Sequence, residues 1–245
     1  SSPSGAHLPS LAAGTPLGAF VDLEPHEGVV GLVPVDGTAT VALGTRGGVV
    51  KRVTVPAPST RTRSASIIAL DEGDLVVGAT FTPEAMAENA RLAFVTSEGN
   101  VLTFPAASVR VQGAGASGMA GISMPSEARA VFFGAVAGAS DGGNQAMVVT
   151  LAGSSSALPG TELGSVKISP LSAFPDKGRA TKGVRCHKLR ASEDEIALAW
   201  VGPGPVRGAT AAGKPVTLPA PTDKRDATGT PPSAPVAAFG GTIGS

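Results

Sequence analysis

One hairpin, written at least twice and echoed later, constrains this chain more than any other feature. Residues 41–55 read V-A-L-G-T-R-G-G-V-V-K-R-V-T-V, and residues 91–104 read R-L-A-F-V-T-S-E-G-N-V-L-T-F. Each is an apolar run, then Thr with a charged residue within two positions, then Gly, then a second apolar-rich run. Gly at the tip supplies the positive φ of a tight turn, and β-branched residues favour strands on either side. Looser copies turn near Gly153 and near Gly213. Tips at Gly48, Gly99, Gly153 and Gly213 recur every roughly 50 to 60 residues, the period of one propeller blade per repeat. The expectation is an all-β, propeller-like chain of about four to six small four-stranded blades, closed as a ring or open as a spiral.

Composition agrees with many short strands. Thirty-three Gly and 21 Pro supply the turns, and with only eight Phe and one Trp the core must be packed by Val, Ala, Ile and Leu. Residues 15–240 read as one domain, with tails at 1–14 and 241–245. Residues 82–90 suggest a short helical insertion capped by Thr82, residues 137–146 a flexible loop, and 219–235 a Pro-rich connection. No apolar run reaches the roughly 18 residues of a membrane span, and no basic-plus-apolar leader opens the sequence. One cysteine, Cys186, allows no internal disulfide and fits a reducing compartment. Abundant Ala, Gly, Val and Pro with few Lys point to a GC-rich, actinobacterial source.

The formal net charge is zero, yet the charge is segregated. Residues 41–70 hold Arg46, Lys51, Arg52, Arg61 and Arg63 with no acid, and 71–106 hold six acids against Arg91 alone. Residues 161–190 hold Lys167, Lys177, Arg179, Lys182, Arg185, Lys188 and Arg190 against Glu162 and Asp176. A local basic field can steer a polyanion despite a neutral total. The alternative is solvated loops ion-paired to Glu193, Asp194 and Glu195, but three acids cannot neutralise so many bases.

Other chemistry is poorly supported. Cys186 beside His187 suggests a catalytic or metal pair, but with His7 and His26 the only other histidines no metal-ligand spacing exists. Gly138-Ala139-Ser140-Asp141-Gly142 matches the letters of a nucleophile elbow without the helix that must follow it. The acidic run 193–195 reads as a polar turn, and Trp200 as a core anchor. No pair of catalytic carboxylates stands out.

Between the hairpins lies a second repeated element, a polar and often basic head leading into a strand: 60–77, 110–122 and 177–201, with a degenerate copy at Lys224-Arg225-Asp226-Ala227-Thr228-Gly229. Thr45-Arg46-Gly47-Gly48-Val49-Val50-Lys51-Arg52 and Arg179-Ala180-Thr181-Lys182-Gly183-Val184-Arg185-Cys186-His187-Lys188-Leu189 resemble the blade hairpin and basic head of a known family. That family is the C-terminal domain of the A subunit of bacterial type IIA topoisomerases, gyrase and topoisomerase IV. The resemblance spans roughly 15–240. It implies a β-pinwheel whose blades exchange strands and whose basic outer rim binds and bends duplex DNA.

On that resemblance the DNA-binding residues are Arg46, Lys51, Arg52, Arg61, Arg63, Arg110, Lys177, Arg179, Lys182, Arg185, Lys188 and Arg190, with no catalytic and no metal site. The chain has no Tyr, so the tyrosyl chemistry of strand cleavage lies elsewhere in such an enzyme. The implied partners are duplex DNA, the remainder of the A subunit, plus the ATPase B subunit, in the cytoplasm at the nucleoid. ATP and Mg act on other parts of the enzyme, and no cofactor is expected here. The gyrase box, close to Q-R-R-G-G-R-G, is absent; the nearest stretch is Gln112-Gly113-Ala114-Gly115-Ala116-Ser117-Gly118. That absence, with the uneven basicity, points to topoisomerase IV rather than to a gyrase domain that wraps DNA for negative supercoiling. A propeller serving as a protein-interaction scaffold is the reading from another class.

Overall fold

A computed structural model describes residues 24–25, 27–34, 39–57, 64–82, 89–136, 145–158 and 161–241. The chain divides into a short unit, Ser1–Val30, and a main unit, Gly31–Ser245. In the short unit, Glu24 N donates to the Glu27 carboxylate at 3.1 Å. Among the described residues, the strands all lie in the main unit.

Its first hairpin is β1 (Thr40–Thr45) and β2 (Val49–Thr54), followed by β3 (Val76–Phe81). A second hairpin, β4 (Arg91–Thr96) and β5 (Asn100–Pro105), leads to two short strands, β6 (Val111–Gln112) and β7 (Met119–Ala120), and then β8 (Ala130–Val136). A third, β9 (Ala146–Gly153) and β10 (Ser165–Pro170), is followed by β11 (Val184–Arg185) and β12 (Glu195–Pro203). The last comprises β13 (Arg207–Ala209), β14 (Pro215–Val216) and β15 (Ala238–Gly240).

The four hairpin turns share a glycine of one conformation. Gly48, Gly99, Gly164 and Gly213 all have φ between 59° and 86°, the left-handed region that favours glycine. In three of them the preceding Thr works twice. Thr45, Thr96 and Thr210 accept the Gly N–H on their carbonyls at 2.9–3.0 Å. Their hydroxyls accept the next residue's N–H, from Val49, Asn100 and Lys214, at 3.0–3.2 Å. The repeated Thr-x-x-Gly is therefore a self-capped turn. The third hairpin differs from expectation. Gly153 is the last residue of β9, and the loop runs on to Gly164 before β10 begins, so the turn is longer by several residues.

Each hairpin carries the strand that follows it on one side: β3 on β1, β8 on β4, β12 on β9 and β15 on β13. On the other side it accepts a segment from the next repeat. β7 pairs with β2 (Val50↔Met119), β11 pairs with β5 (Val101↔Val184), and Thr230 bridges to Val166 in β10. Sequential blades thus exchange a strand. The interior falls into packed clusters between successive sheets. Phe94, Phe104 and Phe133 centre one, and Val95, Val148, Ile196 and Val201 another. Phe94 and Phe133 meet at 4.8 Å between ring centroids, within the range of favourable aromatic pairs.

Residues 83–88 of the expected helical insertion at 82–90 lie outside the described residues, as do the nucleophile-elbow letters at 138–142. Thr82 is buried beside β1, its hydroxyl donating to Thr40 O at 3.4 Å. Residues 219–235 form an irregular connection, as their prolines require.

Candidate nucleic-acid interface

The exchanged pairings align the heads residue by residue. Met119, Val184 and Thr230 occupy one position, so Gly118, Gly183 and Gly229 occupy the one before it. Gly118 and Gly183 have φ of 98° and 71°. A Cβ on Gly183 would lie 2.3 Å from Val101 O, and on Gly118 2.8 Å from Val50 O. The glycine is demanded both by conformation and by the close approach of the preceding hairpin. After it the chain docks on the hairpin tip: Gly121 and Ile122 donate to Gly48 O at 2.8 and 3.0 Å, and Cys186 and His187 donate to Gly99 O at 2.8 and 3.3 Å.

Successive heads also bond to one another. Ala69 N donates to Ala116 O, Ser123 N to Thr181 O and Lys188 N to Ala227 O, at 3.0–3.2 Å. The segments near 67–69, 114–123, 179–188 and 225–230 thereby lie in lateral contact as one strip. Along it the chemistry varies. The 110–123 head has Ala114, Ser117 and Ala120 where the 177–190 head has Arg179, Lys182 and Arg185. The last head has Arg225 at the Arg179 position.

Of the twelve cations expected at the interface, eight line exposed or half-buried surface: Arg46, Arg110, Lys177, Arg179, Lys182, Arg185, Lys188 and Arg190. Three of these are partly engaged. Arg179 donates to Ala120 O at 2.6 Å, Arg190 to Gly229 O, and Arg185 lies 3.6 Å from Asp226. Among the described residues, the side chains of Arg46, Arg110, Lys177, Lys182 and Lys188 make no hydrogen bond or ion pair. Arg61 and Arg63 lie outside the described residues.

Lys51 and Arg52 do not meet the expectation. Lys51 is fully buried, its ammonium donating to Ile67 O (2.7 Å), Ala114 O (2.8 Å) and Ala116 O (2.7 Å). Arg52 is 3% exposed, and its guanidinium reaches Val109 O at 3.1 Å and Ala106 O at 3.4 Å. Both cations are spent on backbone carbonyls because both faces of β2 are covered, the Lys51 face by the segments at 67 and 114–116 and the Arg52 face by 106–109. Burial lowers the Lys51 pKa from its ordinary value.

The acids of 193–195 do not neutralise the basic head. Asp194 caps the β9 loop through Ser155 N and Oγ at 2.7 and 2.6 Å, and these bonds lower its pKa. Glu195 pairs with Arg129 at 2.8 Å. Glu193 accepts from the Ser165 hydroxyl and, at 2.8 Å, from Arg190 N.

Ser165 leads to His187, which is fully buried. His187 Nδ1 lies 2.8 Å from Thr150 Oγ1, and Nε2 lies 3.4 Å from Ser165 Oγ. One proton arrangement satisfies the chain: Thr150 donates to Nδ1, Nε2–H donates to Ser165, and Ser165 donates to Glu193. Burial pushes the His187 pKa down to about 4, Glu193 opposing and Lys167 and Arg190 reinforcing that shift. Burial drives the Cys186 thiol up to about 12, with Lys167 opposing. The pair is structural: a neutral imidazole and an unreactive thiol with no route to solvent. Among the described residues, no cluster of three or more His, Cys, Asp or Glu could hold a metal ion. None of their helices is long and apolar enough to cross a membrane. Trp200 is half-buried and packs on the cluster around Val149 and Val166.

Comparison with known proteins agrees with this layout. The family described as DNA gyrase C-terminal domain, beta-propeller, matches residues 90–136 and 160–198, which include the second hairpin, β10 and the basic head. The A subunit of DNA gyrase from Escherichia coli (strain K12) is 28% identical over 178 residues, covering 71% of this chain and 18% of that protein. The corresponding protein of Shigella flexneri is equally similar. The chain thus spans under a fifth of the length of these relatives. A crystal structure of the C-terminal domain of DNA topoisomerase IV superposes with a TM-score of 0.66 at 19% identity, over 89% of this chain and 65% of that one. A structure of a DNA gyrase A C-terminal domain gives 0.65 at 14% identity, over 93% and 74%. With its exchanged blades, the chain has the β-pinwheel fold of these C-terminal domains, and its residues 90–136 and 160–198 are similar to the DNA gyrase C-terminal domain family.

Proposed function

We propose that this domain binds and bends duplex DNA for a type IIA topoisomerase, presenting a DNA segment that the catalytic core captures for decatenation or relaxation. The observation that carries the reading is the strip of bonded heads. It sets Arg179, Lys182, Arg185 and Lys188 next to Lys224 and Arg225, with Asp226 beside Arg185 and with Asp194 and Glu195 occupied elsewhere. Phosphate contacts from such a strip give affinity without sequence preference, and bending lengthens the contact path. The domain itself is non-catalytic. Its partners on this reading are the rest of the A subunit, plus an ATPase B subunit, at the nucleoid, with ATP and Mg used by those other parts.

A topoisomerase IV role is favoured over chiral wrapping by a particular observation. The stretch nearest in sequence to the gyrase box, 112–118, lies in the 110–123 head and carries no Arg or Lys. If about six phosphates are neutralised, log K falls against log salt with a slope near roughly −5. A mobility-shift titration of linear duplex across salt concentrations measures it. No binding at about 50 mM salt, or binding indifferent to salt, overturns the reading. In the full enzyme, ATP-dependent negative supercoiling of a relaxed circle would instead establish the gyrase role.

A further inference from the structure

Two lysines are buried at corresponding places in the repeat. Three residues after the turn glycines Gly48, Gly99 and Gly164 stand Lys51, Leu102 and Lys167. The register bears out the match, since they face Leu43, Phe94 and Thr150 on the partner strands. Lys51 is 0% and Lys167 3% exposed. An ammonium is among the costliest groups to bury, so each must be met by acceptors.

The acceptors are not arbitrary. Ile67, Gly121 and Cys186 occupy one position in successive heads, each two residues before the amide that bonds to the next head. Lys51 donates to Ile67 O and, across the junction, to Ala114 O and Ala116 O. Lys167 donates to Cys186 O at 2.8 Å and to Ser169 Oγ at 2.7 Å. At the junction between them Leu102 has no donor, and Gly121 O instead accepts from Ala180 N at 2.7 Å. Ala180 reaches it with a φ of 67°, the one non-glycine residue in the left-handed region among those described. The same carbonyl is thus closed by an ammonium at two junctions and by a strained backbone N–H at the third.

We infer that Lys51 and Lys167 are positioning residues, Lys51 fastening the 60–77 head to the 110–123 head and Lys167 fastening the 177–190 head to β10, and that the Lys167 bonds hold Arg179, Lys182, Arg185 and Lys188 at the spacing a bound duplex requires. The part that concerns DNA rests on the function proposed above; the fastening stands on the hydrogen bonds. Where the family pattern places a lysine in the hairpin, its charge serves the fold's inner seams, and phosphate contact belongs to the exposed heads.

The test begins with the unaltered chain. Brief acylation by an N-hydroxysuccinimide ester, read by mass spectrometry, modifies Lys177, Lys182 and Lys188 at least about tenfold faster than Lys51 and Lys167, which react only through local opening. Equal rates overturn the inference. Lys167→Met keeps the bulk and removes the donors, and Leu102 shows that the position accepts an apolar side chain. In that variant the Lys188 amide exchanges with solvent about tenfold or more faster, while the β4 amides keep their protection. Its salt slope for duplex falls by more than about one, the limit for a single direct phosphate contact. Lys177→Met, the exposed control, loses about one in slope with no change in amide exchange. An unchanged Lys188 amide in Lys167→Met overturns the fastening, and a slope loss of one or less overturns its link to DNA. If the variant does not fold, the acylation pattern still decides. If the unaltered chain binds no DNA, the proposed function fails, and the acylation and exchange results still judge the fastening.

Discussion

The heads at 110–123 and 177–190 run through the same bonds to the preceding hairpin, yet where one has Ala114, Ser117 and Ala120 the other has Arg179, Lys182 and Arg185. Both keep the positive-φ glycine, Gly118 or Gly183, and both cap a hairpin tip with two consecutive amides. The fold therefore asks for little beyond a glycine and backbone donors at these positions. Charge is left to vary: at these three positions one head is cationic and the other neutral, on the same frame.

The strongest way to break that frame is Gly183→Val. A side chain there meets Val101 O and forces a β-branched residue into the left-handed region, which together cost about 4 kcal/mol. Urea unfolding measures it, and a loss under about 1 kcal/mol would deny that the glycine anchors the head. The next test exploits His187, which stands where the uncharged head has Ile122. Its folded pKa of about 4 lies below the ordinary 6.5, so the unfolded chain takes up the proton first. Its contribution is complete above pH 6.5 and is lost as pH falls toward 4, by about 3 kcal/mol. Stability followed from pH 7.5 to 4 should show this decline, and His187→Ile should flatten it.

A smaller effect concerns binding. Changing Lys177, Arg179, Lys182 and Arg185 to Ala weakens duplex binding about a hundredfold and makes the salt slope shallower by about three or four, alike for all sequences. The converse sharpens the comparison: Ala114→Arg, Ser117→Lys and Ala120→Arg should make the 110–123 head bind, steepening the slope by about two or three. Unchanged slopes would place the interface elsewhere. The least effect is expected from Asp226→Asn. The Arg185–Asp226 pair is exposed on both sides, so stability shifts by less than about 0.5 kcal/mol, while duplex binding tightens slightly.

Much of this is legible in the sequence, and the failures have physical reasons. Thr45, Thr96 and Thr210, each three residues before a glycine, announce their turns because the motif is local. The third turn reads as Gly153 because an inserted loop moves the decisive glycine to Gly164. Strand exchange is invisible to periodicity, since β6, β7 and β11 are two residues long and pair with strands far away in sequence. That invisibility explains Lys51 and Arg52. A strand read as half-exposed carries its cations outward, but both faces of β2 are covered and its cations turn to carbonyls. Arg225 escapes sequence reasoning as an interface residue, although Arg225 and Gly229 repeat the spacing of Arg179 and Gly183.

Because each hairpin is completed by a segment from the following repeat, the molecule is finished out of order. As the chain leaves the ribosome, the edge of β2 waits for residues 111–120, that of β5 for 184–185, and that of β10 for Thr230. Roughly 60 to 80 residues separate a hairpin from its closing strand, about 3 to 16 seconds of synthesis. During that interval every new blade presents an open strand edge, and an interrupted translation product would carry that edge as a site for pairing with its own kind.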